Sequence, residues 1–163
     1  MMLSCSTFML AAVLASSGVL SGLPEYKPNA NADRASIPAA YLWDLTVLFP
    51  DDDTWSRTLE ETRTSLEGVS ALHDTLSEPA GLAAYMEIYF SIELTANRLS
   101  LYASLQKDGD TTNSEYSTRH QQALKLTNRV MDEGAVLRQA VLDYDEAALD
   151  AAYVEVAALK SFK

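Results

Sequence analysis

The residues whose types could do chemistry are few and scattered in this chain. Two histidines, His73 and His120, stand far apart, and neither is followed by glutamate. A zinc hydrolase of the His-Glu-x-x-His type needs two imidazoles one helical turn apart, with a glutamate to activate the bound water. His73 falls at a predicted helix end, where an imidazole faces the negative end of the dipole. His120 falls on a predicted helix beside Arg119, and both read as surface or boundary residues. Cys5 is the single cysteine, so no disulfide framework arises. No Cys-x-x-Cys-His run exists to attach a haem, and neither a Ser-His-Asp nor a Cys-His set can be assembled. Asp108-x-Asp110 offers two carboxylates on a predicted loop, fewer oxygens than a divalent cation usually takes. No catalytic, cofactor-binding or metal-ligating residue is assigned, and no cofactor is expected in this chain.

The elements that would position any site are helical. Trp55, Leu59, Leu66, Val69, Leu72 and Leu76 recur at helical spacing and predict a first helix over about 54–76, capped by Asp53 or Thr54. Ser77-Glu78-Pro79 is a break and a restart, with Ser77 as cap. A second helix, about 79–106, carries Leu82, Tyr85, Met86, Tyr89, Phe90, Ile92, Leu94, Leu99, Leu101, Tyr102 and Leu105 over more than one face. It is expected to be central and to contact two or more neighbours. Residues 107–113 connect it to a third helix over about 114–142, with Gly109 suited to a left-handed stop and Asn113 or Thr112 to a cap. Tyr116, Ala123, Leu124, Thr127, Val130, Met131, Gly134, Leu137 and Val141 form its stripe. A last helix begins near Glu146. The fold class is all-α: antiparallel up-and-down helices with a long central hairpin of the second and third, preceded by an extended aromatic-rich arm.

Lys plus Arg number 12 and Asp plus Glu 23, a net charge of −11. That balance argues against a nucleic-acid partner, which needs a basic patch, and against an anionic membrane surface, and neither is expected. Thr7–Leu23 is almost wholly apolar or small, and Ala30-Asn31-Ala32 has the small-x-small form of a signal-peptidase site. Residues 1–32 therefore read as a signal peptide, or as an N-terminal anchor if uncleaved. The first predicts an exported protein, periplasmic or secreted, with no membrane contact after cleavage. Residues 33–53 form the arm and 54–163 the helical domain.

The arm runs Ile37-Pro38-Ala39-Ala40-Tyr41-Leu42-Trp43-Asp44-Leu45-Thr46-Val47-Leu48-Phe49-Pro50 into Asp51-Asp52-Asp53-Thr54-Trp55. Pro38 and Pro50 disfavour helix before them. Asp44 can accept a backbone N–H and set a turn over Leu45–Leu48. Tyr41 and Trp43 suit a hydrophobic groove. This run resembles the start of the oligoendopeptidase F family of thimet-oligopeptidase-like zinc metallopeptidases, on Ile37, Pro38, Tyr41, Trp43, Asp44, Leu45, Thr46, Leu48, Phe49, Pro50, Asp52 and Trp55. A second block is similar to the same family on Arg98, Leu99, Tyr102, Ala103, Leu105, Asp108, Asp110, Thr111, Asn113 and Tyr116. The resemblance covers roughly 37–116. It implies a helical N-terminal region that helps wall a substrate channel, in an intact protein that uses zinc to hydrolyse short peptides. The catalytic His-Glu-x-x-His is absent from these residues, and nothing before Lys163 marks a helix stop. The expectation is the N-terminal portion of such a peptidase, truncated, with the remainder of that fold as partner. A fragment of that kind is expected to expose apolar stripes on its second and fourth helices. The alternative is a non-enzymatic exported helical bundle that binds a small ligand or a partner helix.

Overall fold

In a computed structural model, residues 25–27, 29 and 36–162 are described. The leader, with Thr7–Leu23 and Ala30-Asn31-Ala32, lies outside them. The chain divides into two units, residues 1–43 and 44–163.

In the first unit Pro38 leads into a short 3-10 turn, Ala39–Tyr41, with Leu42 extended after it. Tyr41 and Tyr26 have ring centroids 5.1 Å apart, and Trp43 is 59% exposed.

The second unit opens on a turn. The Asp44 carboxylate accepts from Thr46 N at 3.0 Å and Thr46 Oγ1 at 2.6 Å, which starts a 3-10 turn over Leu45–Val47. That is the turn the sequence predicts. The stretch is thus two local turns and not one continuous extended arm, because Pro38 and Asp44 each organise the residues just after them.

Helix α1 spans Asp52–Ser70 and begins earlier than the residue types suggest. Asp51, not Asp53 or Thr54, is the cap, its carboxylate accepting from Thr54 N at 2.7 Å. The reason is local: Pro50 and an extended Asp51 free the next residues for helix, and Asp52 and Asp53 then sit at the positive end of the dipole. The helix also ends earlier. Leu72 and Leu76 keep the apolar period but lie just before and just after a 3-10 turn, His73–Thr75. Leu76 is still buried, so the period reports packing there and not helix.

Helix α2 spans Pro79–Gly109, with Pro79 in the first turn and Glu78, not Ser77, at the cap. Gly81 is required by close approach. A Cβ there would lie 2.1 Å from the Thr75 carbonyl oxygen, so the first turn can pass the preceding loop only without a side chain. The helix runs through Gly109, with Asp110 extended after it. Asn113 caps α3, Ser114–Asp143, accepting from Glu115 N and Tyr116 N. Asp145 caps α4, Glu146–Glu155, and a 3-10 segment follows over Ala157–Phe162. There is no strand among the described residues, and the all-α class stands.

Cross-helix bonds give the topology. Tyr85, early in α2, bonds Glu133, late in α3, while Ser104, late in α2, meets His120, early in α3. The two helices are antiparallel, a hairpin closed by residues 110–113. Trp55 at the start of α1 reaches Leu99 toward the end of α2, so α1 and α2 are antiparallel too. α2 contacts both α1 and α3, as expected of a helix with large apolar residues over more than one face. Its seam is Leu82, Tyr85, Tyr89, Ile92, Ala96, Leu99, Tyr102 and Ala103, spaced by three and four residues. In α3 the core side is Ala123, Leu126, Val130 and Leu137. Leu124 and Met131, expected in the stripe, are exposed. They stand off the line that Leu126 shares with Val130 and Leu137.

Candidate functional site

Two part-buried polar clusters tie this bundle together, one toward each end of the α2–α3 hairpin.

The first is built around Asp52, the opening residue of α1. Its Oδ1 accepts from the Tyr102 hydroxyl at 2.8 Å and from Gln106 Nε2 at 2.9 Å. Its Oδ2 pairs with the Arg119 guanidinium at 2.9 Å. Arg119 also donates to Gln106 Oε1 and lies over the rings of Trp55 and Tyr116, 5.5 and 5.7 Å from their centroids. The Trp55 indole is buried and donates to the Leu99 carbonyl at 3.0 Å. Beside this, Arg98 donates to the Leu48 carbonyl at 2.8 Å and lies over the Phe49 ring, which meets Tyr102 edge-on at 5.4 Å. Burial pushes the Asp52 carboxyl up. Gln106, Tyr102 and Arg119 outweigh it and hold the group below its ordinary value. Burial, then the Asp52 carboxylate, push the Tyr102 phenol well above its ordinary value.

The second cluster centres on Glu133 of α3. Its Oε1 accepts from Ser70 Oγ at 2.5 Å. Its Oε2 meets His73 Nε2 at 2.6 Å and the Tyr85 hydroxyl at 2.7 Å. One carboxylate thereby ties the end of α1, the turn after it, α2 and α3. Burial pushes the Glu133 carboxyl up, but the Ser70, Tyr85 and His73 hydrogen bonds together bring it below its ordinary value. Burial and then Glu133 push the Tyr85 phenol up. Next along α3, Gly134 leaves room for Tyr89, whose hydroxyl would lie 2.4 Å from a Cβ there. His73 also lines a pocket of about 470 Å³ with Leu76, Ser77, Ala140, Asp143, Tyr144, Asp145 and Ala148.

Neither cluster has the order of a catalytic set. In the second, the carboxylate sits between serine and histidine. A nucleophile activated by imidazole needs the histidine in the middle. Ser70 Oγ is also within reach of the Leu66 carbonyl, at 3.3 Å. In the first, the carboxylate is neutralised by Arg119 and saturated by neutral donors. Among the described residues, every buried side-chain nitrogen and oxygen has a partner, so these clusters hold helices together.

The residues do not fit a zinc ion either. His73 is committed to Glu133, and His120 Nδ1 meets Ser104 Oγ at 3.3 Å on another part of the hairpin. Among the described residues no three of His, Cys, Asp and Glu gather into a ligand set. Asp110 is occupied in its own turn, accepting from Thr112 N and Thr112 Oγ1. No helix among the described residues is long and apolar enough to cross a membrane.

The Asp52 cluster joins part of each of the two blocks noted in the sequence. Leu48, Phe49, Asp52 and Trp55 come from the first block. Arg98, Leu99, Tyr102 and Tyr116 come from the second. They meet in one clamp that fixes the leading turn and the start of α1 on the end of the hairpin. The spacing of the two blocks follows from an antiparallel α1–α2 pair. Similar proteins carry names that agree. The oligopeptidase PepF of Bacillus subtilis (strain 168) is 26% identical over 139 residues, 85% of this chain and 21% of the relative. The chromosomal oligoendopeptidase F of Lactococcus lactis subsp. cremoris is 30% identical over 96 residues, 58% of this chain and 16% of the relative.

The chain resembles the oligoendopeptidase F family. A group B oligopeptidase, PepB, of Streptococcus agalactiae is 21% identical over 80% of this chain and 22% of its own length. The chain spans about a fifth of the length of the curated relatives it matches. No family model and no solved structure matches it.

The sequence pointed to the Asp52 clamp through Trp55, Arg98 and Tyr102, although not to Arg119 as its cation. It did not point to Glu133. Nothing around Glu133 in the chain differs from an ordinary solvated helix face, and its partners lie 48–63 residues away.

Proposed function

We propose that this chain is the N-terminal helical portion of an exported, oligoendopeptidase F-like zinc peptidase, and that it contributes scaffold and substrate-channel wall. The single observation that carries the reading is the clamp. Residues from both blocks, Leu48, Phe49, Asp52 and Trp55 of the first and Arg98, Leu99, Tyr102 and Tyr116 of the second, come together there, which supports reading the two blocks as one piece of architecture. Catalysis on short peptides then belongs to residues outside this chain. Export is supported by the apolar run Thr7–Leu23 followed by Ala30-Asn31-Ala32.

The test is a chimera. Residues 36–163 replace the segment with which they align in the Bacillus subtilis relative, and hydrolysis of a short quenched-fluorescence peptide is followed with and without a chelator. A folded chimera with chelator-sensitive hydrolysis, beside a 163-residue chain with none, is the expected outcome. Hydrolysis by the chain alone, or a chimera that cannot fold, overturns the reading. The pocket beside His73 favours a second reading, a helical module that binds a small ligand there. That module would show ligand-dependent stabilisation of the isolated chain.

A further inference from the structure

α2 is apolar on two opposite sides. One is the seam against α1 and α3. The other carries Phe90, Leu94 and Leu101, which are 39, 65 and 48% exposed. Their spacing of four and seven residues sets them on one line, about half a turn from Tyr85, Ile92 and Ala96. α1 is built differently, with one buried seam and Glu60, Glu61 and Glu67 exposed. The line is flanked by the exposed polar Glu87, Asn97 and Arg98, and a line of exposed large apolar side chains with a polar rim marks a surface that is covered.

We propose that the Phe90–Leu94–Leu101 line of α2 seats an apolar-faced helix from the rest of a longer polypeptide. The bundle is then one layer of a larger helical body, with α2 in its interior. This rests on the reading given under Proposed function. Two observations select the occupant. The chain spans about a fifth of its relatives' length, which leaves most of such a polypeptide to supply the covering element. The upper end of the line already accepts a later segment of the same chain: Phe162 stacks on Phe90 with centroids 5.3 Å apart and planes 20° from parallel. A second copy is the weaker occupant. A stable interface between separate chains buries about 1,200–2,000 Å², and three side chains on one helix fall well short. A covalently joined segment needs far less area, because its effective concentration is high.

The test places Leu94→Glu and Leu101→Glu together in the chimera and in the 163-residue chain. Gln121→Glu, an exposed polar position on α3, controls for added charge. In the isolated chain the double variant is expected to keep the wild-type melt and to aggregate less. In the chimera it is expected to cut folded yield and peptide hydrolysis by about tenfold or more, since two carboxylates would be buried without partners, while Gln121→Glu leaves both unchanged. A double-variant chimera as stable and active as the unsubstituted one overturns the proposal. So does an isolated chain that forms a stable dimer and is made monomeric by the two substitutions, because a second copy is then the occupant. An unsubstituted chimera that fails to fold is a separate result, and it counts against the parent reading.

Discussion

Replacing Glu133 with Gln isolates the contribution of one carboxylate at nearly constant volume. The side chain is 12% exposed and holds three donors, from Ser70, His73 and Tyr85. Simple addition of three charge-assisted bonds overstates the loss. Ser70 keeps the Leu66 carbonyl within reach and Tyr85 keeps the Glu133 carbonyl at 3.1 Å. His73, 37% exposed, can turn to water. No donor is orphaned, so the net cost is that of one charged bond, about 2 kcal/mol. For a domain of this size that lowers Tm by about 4–8 °C. The pH dependence has a fixed sign. The folded carboxyl lies below its ordinary value of 4.5, so its stabilisation is fully present above that value. It is lost as pH falls through the lower folded value. The assay is a pair of thermal melts by circular dichroism from pH 7 down to pH 3. The gap between wild type and Glu133→Gln is expected to be full at neutral pH and to close below about 4.5. Asp44, Asp51 and Asp52 are also held low, but they are common to both proteins and cancel in the difference. Equal melts at pH 7, or a gap that persists unchanged at pH 3, would refute the reasoning.

Other substitutions probe the rest of the frame. Trp55→Phe removes a buried ring and its bond to the Leu99 carbonyl; denaturant unfolding is expected to show a loss of about 2–4 kcal/mol. Gly134→Ala drives a methyl group toward the Tyr89 hydroxyl and should cost about 1–3 kcal/mol by the same measurement, whereas Gly68→Ala, which meets nothing within 4 Å, should be neutral or stabilising. Arg98→Met keeps much of the stem and loses the bond to Leu48; amide exchange over residues 44–49 is expected to rise while that of α3 does not. Excess zinc is expected to leave the melt of the isolated chain unmoved, since a site that binds only the folded state would raise it.

The helices were legible because apolar spacing and caps act locally. Asn113 and the Asp44 turn fall where their side-chain chemistry places them. Boundaries were less legible where two signals conflict. Leu72 and Leu76 continue the period of α1, yet the backbone has already left the α-helix, because side chains on either side of a 3-10 turn can still reach the core. Both Leu124 and Leu126 suit a helical core. Which one faces inward depends on the rotation of α3 against α2, and a single helix does not contain that information. The Asp52 clamp was half legible, through aromatic and arginine residues in recognisable blocks. Glu133 was not, because a carboxylate on a helix face looks the same whether water or three donors surround it.

The unequal surroundings of the two tryptophans give the chain a pair of built-in optical probes. Trp55 is 1% exposed, sealed beneath the Arg119 guanidinium, whereas Trp43 is 59% exposed. An aqueous quencher should silence Trp43 first and leave a blue-shifted emission from Trp55 alone. The opening of the clamp can then be watched in the unmodified protein as the moment when that residual light moves to the red.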